Sequence, residues 1–312
     1  MPASLSVAAI DLGATSGRVM IGRLTRDRLD LTQVARFANH PVALPSGLHW
    51  DVVHLYAEAL AGLRAAAASE EWASVAVDAW AVDYGLVRDG ALQGVPFAYR
   101  DARGARGAER VHAQVPFASL YERTGLQFLP FTTLYQLATE PPAALAADRL
   151  LMIPDLMTYW LSGEAVNEVT NASTTGLMDA RTRTWDAVLM ARLGIPSGLV
   201  GTPVEPGVQV GVLRGAAARH VGAEVPVLTA ASHDTASAVL AVPMDPDRAA
   251  YISCGTWGLV GVEASAPNRP RTPCSTSTTM PSSRPATCQP GSRRGCASGR
   301  LPSRRARRAW CG

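Results

Sequence analysis

Lysine is absent from the 312 residues, so all 29 basic side chains are arginines. With abundant Ala, Gly and Pro, this points to a GC-rich coding sequence. Cysteine is almost absent before residue 264: only Cys254 occurs there, which suits a reducing, cytoplasmic setting. No apolar run approaches the roughly 20 residues needed to cross a bilayer, and the opening "MPASLSVAAID" lacks the basic leader of a signal peptide. Acidic residues are missing after Glu263, where ten arginines lie. Subtracting those ten leaves 19 arginines against 26 acidic residues in 1–263, a net charge of −7, while the tail carries +10. A mildly acidic body gives no case for nucleic acid or an anionic membrane as partner.

What is present is a chain that is 47% hydrophobic and 18% charged, ordinary globular chemistry for one large domain or two smaller ones. "SVAAIDLG" and "RVMIGRL" read as strands joined by the small-residue turn "ATSG". "DVVHLYAEALAGLRAAAA" has helical spacing at Val52, Leu55, Tyr56, Ala59, Leu60 and Leu63. "ASVAVDAWAVDYGLV" returns to strand character. The stretch after Pro130 reads as a helix stopped by Pro141 and Pro142, and "LLMIPDLMTYWLSG" and "WDAVLMARLG" read as short helices closed by Gly163 and Gly194. "VPVLTAASHDTASAVLAV" gives a strand, a polar corner and a helix. "AAYISCGTWGLVGVE" repeats the opening pattern of strand, turn and strand. Strands and helices interleave, so the body is α/β.

Three segments carry chemistry. In "AIDLGATSGRV", Asp11 ends a strand before a turn whose backbone amides can face an anion; Asp11 can hold a magnesium ion through water, and Arg18 adds charge. A plain hairpin needing glycine in its turn has the same pattern. "SCGTWGLV" is a second such turn, with Gly255 and Thr256 facing a phosphate from the other side. Two matching hairpins at the starts of two α/β units suggest the phosphate clamp of an actin-like kinase. "ASHDTAS" places His233, Asp234 and Thr235 where a strand meets a helix, and Asp234 there can accept a proton from an attacking hydroxyl. The competing reading is a helix cap by Asp234 or Ser232. Lesser candidates are Trp80 and Asp83, with Trp80 read as core; Arg100, Asp101 and Arg103, a polyol cluster or a solvated ion-pair loop; and Asn171 with Thr174, lining the same cleft. Asn171 also begins an N-glycosylation pattern, although nothing else suggests secretion.

In this order, "AAIDLGATSGRVMIGRL", "LPSGLHWDV", "DAWAVDYGLV", "YRDAR", "TGLQFLPFTTLYQL", "PDLMTYWLSG", "EVTNASTTGLMD", "ASHDTASAV" and "YISCGTWGLVG" resemble the FGGY carbohydrate kinases over about residues 5–263. "LQFLPFTTLYQL" and "ASHDTASAV" point to the branch acting on L-rhamnulose. The resemblance implies an actin-like (ribonuclease H-like) fold, phosphorylation of L-rhamnulose to L-rhamnulose 1-phosphate, ATP as donor and Mg2+. It makes Asp234 the base. It puts Ala14, Thr15, Ser16, Gly17, Arg18 and Thr256 on ATP, and His233, Asp234 and Thr235 on the sugar. The chain departs from the family at Ala81, where the family has Gly; a sugar contact through the backbone survives there, but the methyl group narrows the approach. It departs also at Gly104, where Thr is common, and at Cys254 and Gly258, where Ser is.

The resemblance divides the chain into an N-terminal lobe at 1–243, the start of a C-terminal lobe at 244–263, and a tail at 264–312. The tail has no Ile, Val, Phe or Tyr and is expected to be disordered. Its Arg, Pro, Ser, Thr, Gly and Cys content fits a GC-rich gene read out of frame, and activity is expected to suffer from the loss of the rest of the second lobe. A native basic arm binding nucleic acid and a zinc site of Cys274, Cys288, Cys296 and Cys311 are the other readings of the tail; the latter lacks any Cys-x-x-Cys pair. A non-catalytic sugar-binding or nucleic-acid-tethered protein is the alternative to a kinase.

Overall fold

The computed structural model describes residues 4–245, 247–254 and 258–264. The chain opens with β1 (Leu5–Leu12), β2 (Ser16–Leu24) and β3 (Leu29–Ala38), an antiparallel meander. A small hairpin of Pro41–Leu44 and Gly47–Trp50 leads into α1 (Val52–Ser69). The strands β4 (Val75–Ala79) and β5 (Tyr84–Arg88) follow. Helices α2 (Arg103–His112) and α3 (Thr133–Leu137) come next, then β6 (Arg149–Met152), α4 (Ile153–Ser162) and α5 (Val169–Ala172). The described chain continues through β7 (Gln209–Val212), α6 (Gly215–Val221), β8 (Pro226–His233) and α7 (Asp234–Leu240) to the hairpin of β9 (Tyr251–Cys254) and β10 (Gly258–Gly261).

The central sheet runs β7-β8-β4-β1-β2-β3, with β8, β4 and β1 parallel and the outer strands antiparallel. Alternation along each strand decides what lies on each face. Ala8, Ile10 and Leu12 of β1 and Val75, Val77 and Ala79 of β4 turn to one side and are buried beneath α1, α4 and α6. Helix α1 starts where Asp51 accepts a hydrogen bond from the His54 amide at 3.1 Å, and it buries Val52, Leu55, Ala59, Leu63 and Ala66 on the sheet. Truncating Leu55 or Leu63 to Ala would cost about 2–5 kcal/mol. The same alternation turns Asp11 and Asp78 to the opposite face, side by side in register. Chain reversal after β8 lays α7 against that face.

Two local expectations need correction, at the helix after Pro130 and at "LLMI". The stretch "ASVAVDAWAVDYGLV" has strand character on both sides of a loop: β4 ends at Ala79 and β5 starts at Tyr84, in a separate sheet with Ala91–Leu92 and β6. The helix after Pro130 covers only Thr133–Leu137, and Pro142 starts a new short helix, its fixed φ suiting a first turn. "LLMI" belongs to β6 and the start of α4, whose end at Gly163 has φ +78°, as the glycine requires. Strand β3 and helix α2 stand where the sequence offered no clear period. Helix α2 crosses α3 closely: a Cβ at Gly107 would lie 1.8 Å from the Tyr135 carbonyl oxygen, and one at Gly104 2.3 Å from that of Pro130. The departure at Gly104 therefore goes with a tight loop contact. The expected disorder, zinc ligands and arm of residues 265–312 lie outside the described residues, as does Thr256.

Candidate active site

Three carboxylates sit at the carboxyl ends of three neighbouring strands. Asp234 follows β8 directly, Asp78 is the last residue but one of β4, and Asp11 the last but one of β1. Arg18 on β2 is the register partner of Asp11 and its guanidinium lies 3.4 Å from the carboxylate. Burial raises the Asp11 carboxyl above its ordinary value, Arg18 pulls it down, and the charge of Asp234 pushes it up again. Asp78 is raised well above the ordinary range by burial and by Asp11, against a hydrogen bond from Ser237 one turn into α7. Neither Asp78 nor Ser237 stood out in the sequence, although the alternation of "VAVDA" already sets the aspartate opposite the valines.

The turn after β1 is strapped from outside. Gly13 N–H donates to Ser16 O at 3.0 Å, Asn39 N–H to Thr15 O at 3.0 Å, and Asn39 Nδ2 to Gly13 O at 2.8 Å. The Ala14 and Thr15 amides have no partner among the described residues. Small residues, two free amides and an adjacent arginine suit a phosphate oxygen. Gly17 has another reason: a Cβ there would meet the Phe37 ring at 2.2 Å. Asn39 was not foreseen, since only the fold brings it to the turn.

Asp234 is the first residue of α7, not its cap; His233 takes the cap position without a side-chain bond. The Asp234 carboxylate accepts from Thr235 N–H at 2.6 Å and Thr235 Oγ1 at 3.2 Å, with His233 Nε2 3.5 Å away, and its side chain is 37% exposed. Burial lowers the His233 imidazole below its usual value, against the pull of Asp234. The other candidate cap, Ser232, is engaged elsewhere. A bulge between Thr229 and His233 takes Ser232 out of the ladder with β4. Its N–H and Oγ donate instead to Glu168 at 3.0 and 2.8 Å. Glu168 is fully buried and also accepts from Thr170 N, Thr170 Oγ1 and Asn171 N. Its link to the bulge was not legible locally, because Ser232 lies 64 residues away.

Asn171 and Thr174 are buried braces. Asn171 Nδ2 donates to Ser232 O at 3.3 Å and Thr174 Oγ1 accepts from Val82 N–H at 3.3 Å, so both tie the strand ends together. Full burial of Asn171 rules out glycan attachment in the folded chain. Arg103 is neither a polyol ligand nor solvated: buried, it donates to Glu140 at 2.7 Å and Gln136 at 2.9 Å and lies 3.7 Å over the Phe97 ring. Asp101 accepts from the Leu48 and Arg103 amides at 2.8 Å. Trp80 is core, as expected, stacked 4.3 Å from Trp50. Ala81 is half-buried beside it, in the turn between β4 and β5.

Residues 97–241 match the N-terminal domain of the FGGY family of carbohydrate kinases, and the chain belongs to that family. Among its relatives it is 41% identical over 270 residues to the rhamnulokinase of Pectobacterium atrosepticum, covering 84% of this chain and 54% of that protein. To the Bacillus subtilis rhamnulokinase it is 39% identical over 265 residues, covering 83% and 54%. The chain thus spans about half the length of the curated relatives it matches. Among solved structures, xylulose kinase from Rhodospirillum rubrum superposes with a TM-score of 0.74 at 22% identity, over 85% of this chain and 56% of that one. Plasmodium falciparum glycerol kinase superposes with 0.69 at 16%, over 83% and 54%. These likenesses establish the actin-like fold. No helix among the described residues is long and apolar enough to cross a membrane.

Proposed function

We propose that the chain carries the acceptor-binding and catalytic portion of an ATP-dependent ketose kinase, with L-rhamnulose as acceptor and L-rhamnulose 1-phosphate as product. The observation that carries this is the alignment of Asp234 with Asp11, Arg18 and the Ala14–Thr15 amides across adjoining strand ends. Asp234 accepts the proton of the sugar hydroxyl as that oxygen attacks the γ-phosphorus and ADP leaves. Its free side and its half-exposure leave room for the hydroxyl. His233 and Thr235 flank it as sugar contacts, and the Ala81 backbone meets the sugar from the neighbouring turn. Ala14 to Arg18 receive the phosphates, a role the resemblance also gives to Thr256.

The donor set fits magnesium: Asp11 offers hard carboxylate oxygens beside the turn, and one carboxylate suffices for an ion that keeps most of its waters. No cluster of three acidic, histidine or cysteine ligands exists among the described residues, which agrees with binding through water and phosphate. Held near Asp11, magnesium would offset the negative charge of the phosphates.

Residues 1–243 form the N-terminal lobe and 244–263 begin the second, so a chain of this extent turns over slowly on its own. The test is to assay the purified chain with ATP, magnesium and a panel of L-rhamnulose, D-xylulose, gluconate and glycerol. Phosphorylation of L-rhamnulose above the others is expected. Preference for another acceptor, or ketose binding that is undetectable by calorimetry, would reject the reading.

A further inference from the structure

The link between β4 and β5 reverses within three residues. The Asp83 amide donates to the Ala81 carbonyl at 2.9 Å and closes a γ-turn about Val82. Val82 has φ +66°. A β-branched side chain in left-handed backbone is an outlier that persists only where its surroundings hold it. Here they do. The buried Asp83 carboxylate accepts from Trp50 Nε1 at 2.6 Å, Trp80 Nε1 at 3.0 Å, the Tyr99 amide at 3.0 Å and Gln136 Nε2 at 2.8 Å. The Val82 carbonyl accepts from Thr133 Oγ1 at 2.6 Å and Gln136 Nε2 at 3.3 Å. Gln136 cannot reverse its amide, because its Oε1 accepts from Arg103 at 2.9 Å.

Every neighbouring amide is accounted for except one. Trp80 N–H donates to Leu12 O at 3.2 Å, Val82 N–H to Thr174 Oγ1, and Asp83 N–H to Ala81 O. The Ala81 N–H has no partner among the described residues, and Ala81 is only half-buried. The bond from Trp80 to Leu12 also ties this turn to the strand that leads into the Gly13–Thr15 turn.

Resting on the ketose-kinase reading, we propose that Asp83 and Thr133 are positioning residues that hold Val82 in its strained turn, so that the Ala81 amide donates to a hydroxyl of the bound ketose. Neither side chain touches the sugar; both act through the backbone between them. Because Trp80 is bonded to Leu12, the same anchors set the distance between acceptor and phosphate turn.

The experiment uses the full chain with Thr133→Val, Thr133→Ser and Asp83→Asn. Thr133→Val is nearly isosteric in a buried position and folds even if Asp83→Asn does not. L-rhamnulose binding is measured by calorimetry, and exchange of the Asp83 amide by NMR. Thr133→Val should weaken binding about tenfold and speed that exchange about tenfold, as loss of one buried hydrogen bond implies, with little change in melting temperature. Thr133→Ser, which keeps the hydroxyl, should restore both. Unchanged exchange and binding in Thr133→Val, or equal losses in the Val and Ser variants, would overturn the proposal. A wild-type chain that binds no ketose overturns the kinase reading and the ligand part of this proposal together. The exchange rates then still decide whether the two anchors hold the turn.

Discussion

Asp234 combines exposure with fixed orientation: Thr235 holds one carboxylate oxygen while the side chain stays 37% exposed. In the chain fused to the C-terminal half of the Bacillus subtilis relative, Asp234→Asn should lower kcat by roughly 10²–10⁴-fold and leave ketose affinity within a few-fold; steady-state kinetics and calorimetry check the two parts. Glu168 sits behind it. Five donors converge on its buried carboxylate, so Glu168→Gln sets an amide N–H against at least one of them. Denaturant unfolding should show a loss of about 1–3 kcal/mol, and kcat should fall with it. Asp83 gives a pH signature. Burial holds its carboxyl up at about 6, against the pull of Gln136, Trp50, Tyr99 and Trp80. A folded value above the unfolded one stabilises most at low pH. Its contribution is complete below about pH 4 and is lost as pH rises through about 6, a change on the order of 3 kcal/mol. The stability gap between wild type and Asp83→Asn should therefore narrow between pH 4 and 7, as followed by urea titration at each pH; a widening gap would contradict the assignment.

Elements depend on how closely they approach. Helix α2 can cross α3 only because Gly107 lacks a side chain, so Gly107→Ala must push the Tyr135 carbonyl away. A loss of about 1–3 kcal/mol is expected, read as a lower urea midpoint. The β9–β10 hairpin has the opposite condition. Ile252 and Val260 are 70% and 76% exposed, and a two-stranded hairpin is stable only when packed on something. Replacing both with Thr should reduce concentration-dependent association in sedimentation velocity without lowering the melting temperature. The hairpins, α1, and the strand-to-helix corner at β8 and α7 were legible because each is set by local alternation or helical spacing. The backbone conformation of the loop between β4 and β5 was not. The positive φ of Val82 comes from bonds to residues as far off as Thr133 and Thr174.

At the scale of the whole molecule, the described residues bring Asp11, Asp78 and Asp234 to the carboxyl ends of three neighbouring strands. Since the chain spans about half the length of its relatives, phosphoryl transfer by it alone should be slow: the γ-phosphate needs holding in line with the attacking hydroxyl from both sides. Comparable kcat/KM for the 312-residue chain and the fusion would show that the second half matters little. The sequence by itself determined the α/β class, the tight turn at Gly13–Ser16 and the strand-to-helix corner at Asp234, because these depend on residue type and short spacing. Only the tertiary structure decided that Asp78 lies between Asp11 and Asp234, that Glu168 holds the bulge behind the base, and that Asp83 anchors the turn bearing Ala81. A buried carboxylate is stable only where donors from separate segments converge on it, and that convergence is a property of the folded chain.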